Sequence, residues 1–383
     1  MFKISSAYQA YRNKITNKLF GTVHMEAQGK RRGYVLISYI TEPFTIAPWE
    51  PLSNFHTNYW ECYEIARLFT EKGYSVDIIN AKDKNFIPKK PYTACVDAEN
   101  NLERFSPYLP KNCKKIFHIL ISHWEEYNEA ENKRLQELKI RRGIELKPRR
   151  RMEPSRNAEI ADYLEGFGNN AIFRTFVRFG KPISFIPISA VVNYKFSENK
   201  NFTDARKHFL WIGGGGSVLK GLDITLEAFS KMPNLHLHVC GPVSAEKDFA
   251  EAYNKELYET PNIHVYGRID VAGKKFGDII DKCAAIVYPS AGEGSSGAVV
   301  QAMHAGLVPI ITHETGIQED SGYIPLENPT PQSVSKAVQD FANTSPEKIR
   351  ELSHKIWLYA RKRYTRGEFS RTYKKFIEEK LGL

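Results

Sequence analysis

The chain has 383 residues, of which 42% are hydrophobic and 26% are charged, and its formal net charge is +10. A chain of this length is too long to form one compact core, which predicts two domains. It has no apolar run of about 18 residues, which excludes a transmembrane helix. The five cysteines form no C-x-x-C pair, which favours reduced thiols over zinc ligands, and the positive charge allows an anionic partner such as a nucleotide, a nucleic acid or a lipid head group.

The first twenty residues predict an amphipathic helix. Apolar side chains recur at helical spacing, and lysines and an arginine lie around them. Such a helix packs on its own domain or on a partner subunit, or it lies on a membrane surface. The apolar positions are Ile4, Tyr8, Tyr11, Ile15 and Leu19. No apolar leader with a small-residue cleavage site is present, so we expect no signal peptide and a cytoplasmic location.

The next 170 residues or so predict a Rossmann-like domain that alternates strands and helices. Strands are predicted at 34–40, 76–79 and 115–122, a helix at 59–71, and further strands and a helix within 171–188. His123 directly follows the strand 115–122, and the carboxyl end of such a strand faces the ligand crevice of an open α/β sheet. Histidine is suited to hydrogen-bond a sugar near neutral pH. The alternative is a half-buried histidine that caps a helix beside Trp124.

Residues 138–156 are strongly basic, with eight lysines and arginines. Such a run is usually a solvated face. A second interpretation is that the run forms a patch that binds an anionic acceptor or an anionic membrane surface. Nucleic-acid binding ranks last, because no aromatic ladder or RNA-recognition motif accompanies the charge.

The second half of the chain predicts another doubly wound sheet. A polar linker occupies residues 193–208, and strands then alternate with helices from residue 209 to residue 312, which requires parallel strands with right-handed crossovers. Three terminal helices follow, at 331–341, 346–364 and 366–381.

Two glycine-rich turns in this half are candidate anion sites. The strand 209–212 leads into four glycines, Gly213 to Gly216, and then into Lys220-Gly221 and a helix. The spacing does not fit a Walker A loop, because Gly221 follows the lysine. The strand 284–288 leads into Pro289-Ser290 and Glu293-Gly294, and a helix follows at 297–305. Unpaired N–H groups at such helix starts suit a phosphate.

In these turns the chain resembles the donor domain of GT-B glycosyltransferases, of the GT4-like or group 1 type. Four elements match in order and spacing: Lys220-Gly221, Tyr288-Pro289-Ser290, Glu293-Gly294 and Ala302-Met303. The resemblance extends over about residues 209–315. It has two departures, since the phosphate-binding arginine of the family falls on Gly215 and its second glutamate falls on Gln301.

The resemblance implies a GT-B architecture: an α/β fold of two Rossmann-like doubly wound domains that face a central cleft, with a final helix that returns to the first domain. On this basis residues 1–192 form the acceptor-side domain and 209–363 the donor domain. Residues 193–208 link them, and 364–383 form the returning helix.

The resemblance also implies the site. Glu293 and His123 are the expected catalytic residues, and His56 and Thr57 stand where the family has an acceptor-side Gly-Gly pair. The expected donor-binding residues are Gly214, Gly215, Gly216, Lys220, Arg268, Ile269, Ser290, Gly294, Ser295, Ser296 and Gln301. Glutamine still hydrogen-bonds ribose, so a Gln301→Glu change is expected to be tolerated. We expect no metal and no cofactor, with a nucleotide-sugar as substrate.

The function expected from these residues is transfer of a sugar from a nucleotide-sugar to a glycan or lipid-linked acceptor, with retention of configuration and without a metal. Two alternatives remain open. The first is an epimerase or phosphorylase of the same fold, and the second is a non-catalytic glycan-binding or scaffold protein. Association with the cytoplasmic face of a membrane, through the basic run, is also left open.

Overall fold

Two sheets, one in each half of the chain, organise the computed structural model, which describes residues 21–46 and 56–383. The helix predicted within residues 1–20 lies outside the described residues, as does the stretch 47–55. The strands of the first sheet are β1 Thr22–Met25, β2 Gly33–Tyr39, β3 Tyr74–Asn80, β4 Tyr92–Asp97, β5 Lys114–Ile119, β6 Tyr163–Gly166 and β7 Ile183–Phe185. Those of the second sheet are β8 His208–Ile212, β9 His236–Cys240, β10 Ile263–Gly267, β11 Ala285–Tyr288, β12 Val308–Ile311 and β13 Ile324–Pro325.

Helices cover both sheets. The α-helices of the described residues are α1 Asn58–Glu71, α2 Leu102–Phe105, α3 Trp124–Arg142, α4 Asn157–Ile160, α5 Asn170–Phe173, α6 Phe202–Ala205, α7 Leu222–Phe229, α8 Lys247–Ala252, α9 Lys274–Lys282, α10 Gly297–His304, α11 Pro331–Asn343, α12 Pro346–Arg363 and α13 Arg366–Lys375. None of them is both long and apolar enough to cross a membrane.

The first sheet has the strand order β1-β3-β2-β4-β5-β6-β7, and only β1 runs antiparallel to its neighbour. The second has the order β10-β9-β8-β11-β12-β13 and is parallel throughout. In both sheets the strand order changes direction at an inner strand, as it does in doubly wound folds. Ligand crevices in such folds open at the carboxyl ends of the strands, where the order changes direction. The predicted α/β class with two Rossmann-like domains is confirmed.

The sequence patterns missed parts of the first domain. The strands β1, β4 and β6 were not predicted, and α3 was not predicted over the basic run that it partly contains. Only four residues of α3 are buried, and two of them are charged: Tyr127, Glu131, Arg134 and Leu138. Because half of its buried face consists of charged residues, α3 carries almost no apolar periodicity.

The predicted linker packs closely on the second domain. Phe202 and Ala205 of α6 are buried, and the Lys200 ammonium donates to the backbone carbonyls of Ile280 (2.8 Å) and Cys283 (2.9 Å). This crossing is therefore held in place rather than free in solvent.

The end of the chain returns to the first domain, as predicted. In α13 the Ser370 hydroxyl donates to Glu64 of α1 at 2.5 Å, and the Phe369 ring packs edge-on against Trp60 with centroids 5.6 Å apart. Tyr373 is fully buried, and its hydroxyl reaches Glu165 of β6 at 3.3 Å.

Four histidines line one face of the strands β8 to β10. His208 stacks on His236 with centroids 4.5 Å apart, and its Nδ1 lies 3.0 Å from Nε2 of His238. Burial first, and then the neighbouring imidazoles, lower the pKa of His208 to about 4 and that of His238 to about 3. At neutral pH the rings of His208 and His238 are therefore uncharged, which lets them pack closely.

His304, the last residue of α10, connects this helix to Tyr364, where the chain passes back from the second domain to the first. Its side chain is fully buried, and its Nε2 donates to the carbonyl of Tyr364 at 2.8 Å. Its Nδ1 has no hydrogen-bond partner among the described residues. Burial lowers the pKa of His304 to about 4, because a second proton would place a charge in this apolar setting.

We predict that His304→Gln makes the protein less sensitive to acid. The folded-state pKa lies below the ordinary value of 6.5, so the stabilisation is complete above pH 6.5 and is lost as the pH falls toward 4, by about 3 kcal/mol at most. Glutamine keeps an N–H donor for Tyr364 and does not titrate. Unfolding midpoints at pH 7.5 and 4.5 measure the difference, and equal losses in both proteins would contradict the prediction.

Candidate active site

The two glycine-rich turns lie side by side at the carboxyl edge of the second sheet. They follow β8 and β11, which pair directly through Ala285 with Phe209 and Ile286 with Leu210. The backbone N–H of Ala291 in the second turn donates to the carbonyl of Leu219 in the first at 2.8 Å. The parallel sheet thus brings two stretches together that are about seventy residues apart in the chain.

Lys220 and Glu293 meet where the two turns converge. The Lys220 ammonium forms an ion pair with the Glu293 carboxylate and donates to the Tyr288 hydroxyl at 3.0 Å. The Tyr288 hydroxyl lies 3.0 Å from the same carboxylate oxygen, and the Ser290 hydroxyl lies 3.5 Å from it. Burial, and then Glu293, raise the pKa of Tyr288 far above its ordinary value, so this hydroxyl stays protonated and donates to Glu293. We call Lys220, Tyr288 and Glu293 the cleft triad.

The first glycine turn already holds a carboxylate. Glu246, after β9, accepts from the N–H of Gly216 at 2.6 Å and from that of Ser217 at 3.2 Å. Within the described residues, the N–H groups of Gly214 and Gly215 have no acceptor and remain available. Of the three predicted glycine donors, two are therefore open toward a ligand.

The second glycine turn touches the first domain directly. The N–H of Ser122 donates to the Glu293 carbonyl at 3.2 Å, and Ile121 forms an isolated bridge with Gly294. A Cβ at position 294 would lie 1.9 Å from the Leu120 carbonyl oxygen. Glycine is therefore required at position 294 by the close approach of the two domains.

Arginines of α3 hold the two domains together at this point. The Arg134 guanidinium is buried and donates to the carbonyls of Pro289 and, at 3.2 Å, Pro329. Arg141 pairs with Asp223 of α7 at 2.6 Å. Two further pairs join the domains, Arg142 with Glu256 and Arg149 with Asp248. Arg141, Arg142 and Arg149 of the basic run therefore form interdomain ion pairs, while all of its lysines and arginines except Arg141 are exposed, in agreement with its interpretation as a solvated face.

Arg150 lies over the first glycine turn, from the segment that follows α3. Its Nε is 3.4 Å from the Tyr127 hydroxyl, and a Cβ at Gly216 would be 2.5 Å from its Cγ. The Tyr127 ring in turn lies 3.0 Å from the Cβ position of Gly292. Neither Arg150 nor Tyr127 was predicted as a site residue. The presence of arginines in the basic run was the only signal in the sequence.

The predicted acceptor-side residues also reach this cleft. A methyl group of Thr57 lies 3.6 Å from the Cβ position of Gly297, at the start of α10. Desolvation, and then the charges of Arg150 and Lys220, lower the pKa of His56, so its imidazole is neutral at pH 7. Its Nδ1 accepts from the Asn58 N–H at 3.2 Å, which places the ring proton on Nε2.

The structure does not bring the His123 ring to the cleft triad. The ring packs against Trp124, Phe176 and Phe179, and Arg178 lies 2.6 Å from its Nδ1. Desolvation, and then Arg178, lower the pKa of His123. Together with Glu125 and Glu126 it forms the one group of candidate metal ligands among the described residues, and the Arg178 guanidinium contacts all three.

The Gln301 side chain is bound by the backbone of residues 191–192, where the chain crosses between the domains. Its Oε1 accepts from the N–H groups of Val191 (3.2 Å) and Val192 (3.0 Å), and its Nε2 donates to the Val192 carbonyl at 2.7 Å. The side chain is buried, and its polar atoms are engaged by backbone. The Gln301 amide thus holds the backbone of the interdomain crossing, and its hydrogen-bonding atoms are already occupied.

The remaining predicted donor residues lie at the same edge of the sheet. The Ser295 hydroxyl donates to the Gly316 carbonyl at 2.9 Å, and the Ser296 N–H donates to the Thr315 carbonyl at 2.9 Å. Ser296 precedes α10, whose first N–H groups have no acceptor within the helix. Arg268 and Ile269 follow β10, at the far edge of the strand order, and Ile269 packs against the core.

Solved structures with this architecture are GT-B proteins, and the fold is of this class. Sucrose-phosphate synthase from Thermosynechococcus elongatus is similar with a TM-score of 0.61 and 13% identity, over 92% of this chain and 100% of that one. Anabaena HepE in complex with UDP and glucose gives a TM-score of 0.56 and 11% identity, over 91% and 99%. S. aureus TarM in a complex that contains UDP gives 0.53 and 14%, over 73% of this chain and 54% of that one. The chain therefore spans about half the length of TarM.

A family model matches part of the donor half of the chain. Residues 206–344 match the model described as Glycosyl transferases group 1, and this segment contains both glycine turns and the cleft triad. The match agrees with the resemblance found in the sequence, and the solved structures confirm the predicted GT-B fold. No curated protein matches the chain in sequence.

We predict that Gln301→Glu destabilises the protein, in contrast to the expectation from the sequence alone. A carboxylate keeps the acceptor for Val191 and Val192 but places an oxygen against the Val192 carbonyl, so a buried hydrogen bond is replaced by repulsion. The expected cost is about 1–3 kcal/mol of unfolding free energy. Denaturant unfolding measures it, with the exposed Gln136→Glu as the matched control. Equal stability of both variants would show that the Gln301 amide does not hold this crossing.

Proposed function

We propose that this protein transfers a sugar from a nucleoside-diphosphate-sugar to a glycan or lipid-linked acceptor, with retention of configuration and without a metal ion. The observation that carries the proposal is the convergence of Lys220, Glu293 and the two glycine turns at one edge of the donor domain, facing the first domain. Known GT-B neighbours with UDP bound make UDP-sugars the first donors to test.

The chemistry requires stabilisation of the departing diphosphate. The bond between the anomeric carbon and the diphosphate oxygen breaks, and its electron pair stays on that oxygen. The oxygen of an acceptor hydroxyl forms the new bond to carbon, and its proton passes to the departing diphosphate. Fixed donors that are already oriented stabilise such charge most effectively. The Lys220 ammonium, the N–H groups of Gly214 and Gly215, and the start of α10 are donors of this kind. They support departure of the diphosphate without a metal.

Glu293 suits the sugar end of the donor. Its carboxylate accepts from Lys220 and Tyr288, and sugar hydroxyls are donors of the same kind as the Tyr288 hydroxyl. His56, neutral at pH 7 and at the acceptor side of the cleft, is suited to hydrogen-bond an incoming hydroxyl. We assign the His123 ring to positioning Arg178 and the start of α3, because it contacts those groups and not the cleft triad.

The alternative enzymes differ from a glycosyltransferase in their second substrate, and the alternative scaffold protein catalyses no reaction. An epimerase or a phosphorylase would use the same diphosphate site, with water or phosphate in place of an acceptor glycan. A scaffold protein would bind glycan without binding a nucleoside diphosphate. Product analysis with a panel of radiolabelled donors, in the presence and absence of EDTA, separates these possibilities and tests metal independence at the same time.

We predict that UDP stabilises the protein against thermal unfolding, by about 2.7 kcal/mol at a hundred times its dissociation constant. Lys220→Met combined with Glu293→Gln should lose this stabilisation while it remains folded, because the pair is removed together and no buried charge is left unpaired. The exposed Lys231→Met is the matched control. An undiminished UDP shift in the double variant would remove the cleft triad from the donor site, and the absence of a shift with any nucleoside diphosphate would refute the proposed function.

A further inference from the structure

The cleft triad and the first glycine turn supply too little positive charge for a diphosphate. Lys220 is the cation of the cleft triad, and its charge is balanced by Glu293. Glu246 adds a second carboxylate beside the first glycine turn, 3.6 Å from the Cβ position of Gly215. A diphosphate that enters this place carries further negative charge, so a binding site of these residues alone is electrostatically incomplete.

Arg150 brings a guanidinium to this place from the other domain. Its side chain crosses the first glycine turn at Gly216 and continues toward Tyr127, which packs on the second glycine turn at Gly292. Glu293 and Tyr288 act on it electrostatically, and it acts together with Lys220 on His56. Arg150 is nevertheless exposed, so a ligand can reach it.

The backbone of Arg150 is fixed, which a binding residue requires. The buried carboxylate of Glu131 accepts from the N–H groups of Arg149 (2.8 Å) and Arg150 (3.0 Å). Two residues later, Met152 and Asn128 exchange hydrogen bonds of 2.8 and 2.9 Å. The segment is thus attached to α3 on both sides of Arg150, and α3 is attached to the donor domain by Arg134 and Arg141.

The glycine turn provides the space for this side chain. A Cβ at Gly216 would lie 2.5 Å from Cγ of Arg150, whereas a Cβ at Gly214 would have no neighbour within 4 Å. Gly216 also has φ of +91°, a conformation that favours glycine. A turn without side chains therefore leaves room for the arginine at Gly216.

We propose that Arg150 binds the diphosphate of the donor together with Lys220, and so takes the place of an arginine that is absent at Gly215. The inference rests on the function proposed above. Its consequence is that the diphosphate site is built by both domains and is complete only when α3 is docked on the donor domain.

The test compares Arg150→Met with Arg151→Met in the full-length chain. Both variants lose one positive charge, and Arg151 is an exposed neighbour of Arg150 in the chain. Affinities are measured by calorimetry for UDP, UMP and uridine. We expect Arg150→Met to weaken UDP binding about 10- to 100-fold, the scale of one lost charge-assisted contact, to weaken UMP less and to leave uridine unchanged. Arg151→Met should bind all three like the wild type.

A relocation variant provides the second test. Gly215 has an ordinary backbone conformation, and its nearest neighbour is a flexible carboxylate, so an arginine fits there. We expect Gly215→Arg to recover UDP affinity in the Arg150→Met background. Equal UDP affinity of the wild type and Arg150→Met would overturn the inference and leave the proposed function standing. Equal loss in Arg151→Met would also overturn it, because it would reveal a general effect of charge. A wild-type protein that binds no UDP would refute both.

Discussion

Arginines of the first domain that reach acceptors in the second are the interaction on which the candidate active site depends. Arg134 is buried and donates to two carbonyls of the donor domain, and Arg141 pairs with Asp223. Because a buried guanidinium without acceptors costs several kcal/mol, these contacts fix the distance between the domains rather than merely favour it. The close contact between Gly294 and Leu120 and the position of Arg150 over the glycine turn both follow from that fixed distance.

Within the donor domain, the parallel pairing of β8 with β11 fixes the two glycine turns relative to each other. It places two turns, distant in sequence, against each other, so that Lys220 and Glu293 form an internal pair. A neutral pair is a suitable resting state for a site that is to receive a charged ligand, because neither group is buried alone. Charge for the diphosphate then comes from outside the pair, which is why a residue of the other domain becomes important.

The fold was predictable from the sequence where local pattern and position in the sheet coincide. Both glycine turns and the return of the final helix were predicted correctly. The sequence was uninformative where charged residues are buried, since the inner face of α3 includes Glu131 and Arg134 and therefore lacks an apolar stripe. Partners across the domain interface, such as Asp223 for Arg141, have no signature in a single sequence. Gln301 illustrates a further limit, because an amide that suits a ribose suits a backbone equally well.

One short helix, α10, joins the cleft to both places where the chain passes between the domains. The first turn of α10 lies at the cleft, its middle is fastened by Gln301 to Val191 and Val192, and its last residue is fastened by His304 to Tyr364. The chain passes between the domains at these two places. One continuous helix of eight residues therefore joins the cleft to both crossings. The element beside the proposed donor site is thus also the element that fastens the two passages of the chain between the domains.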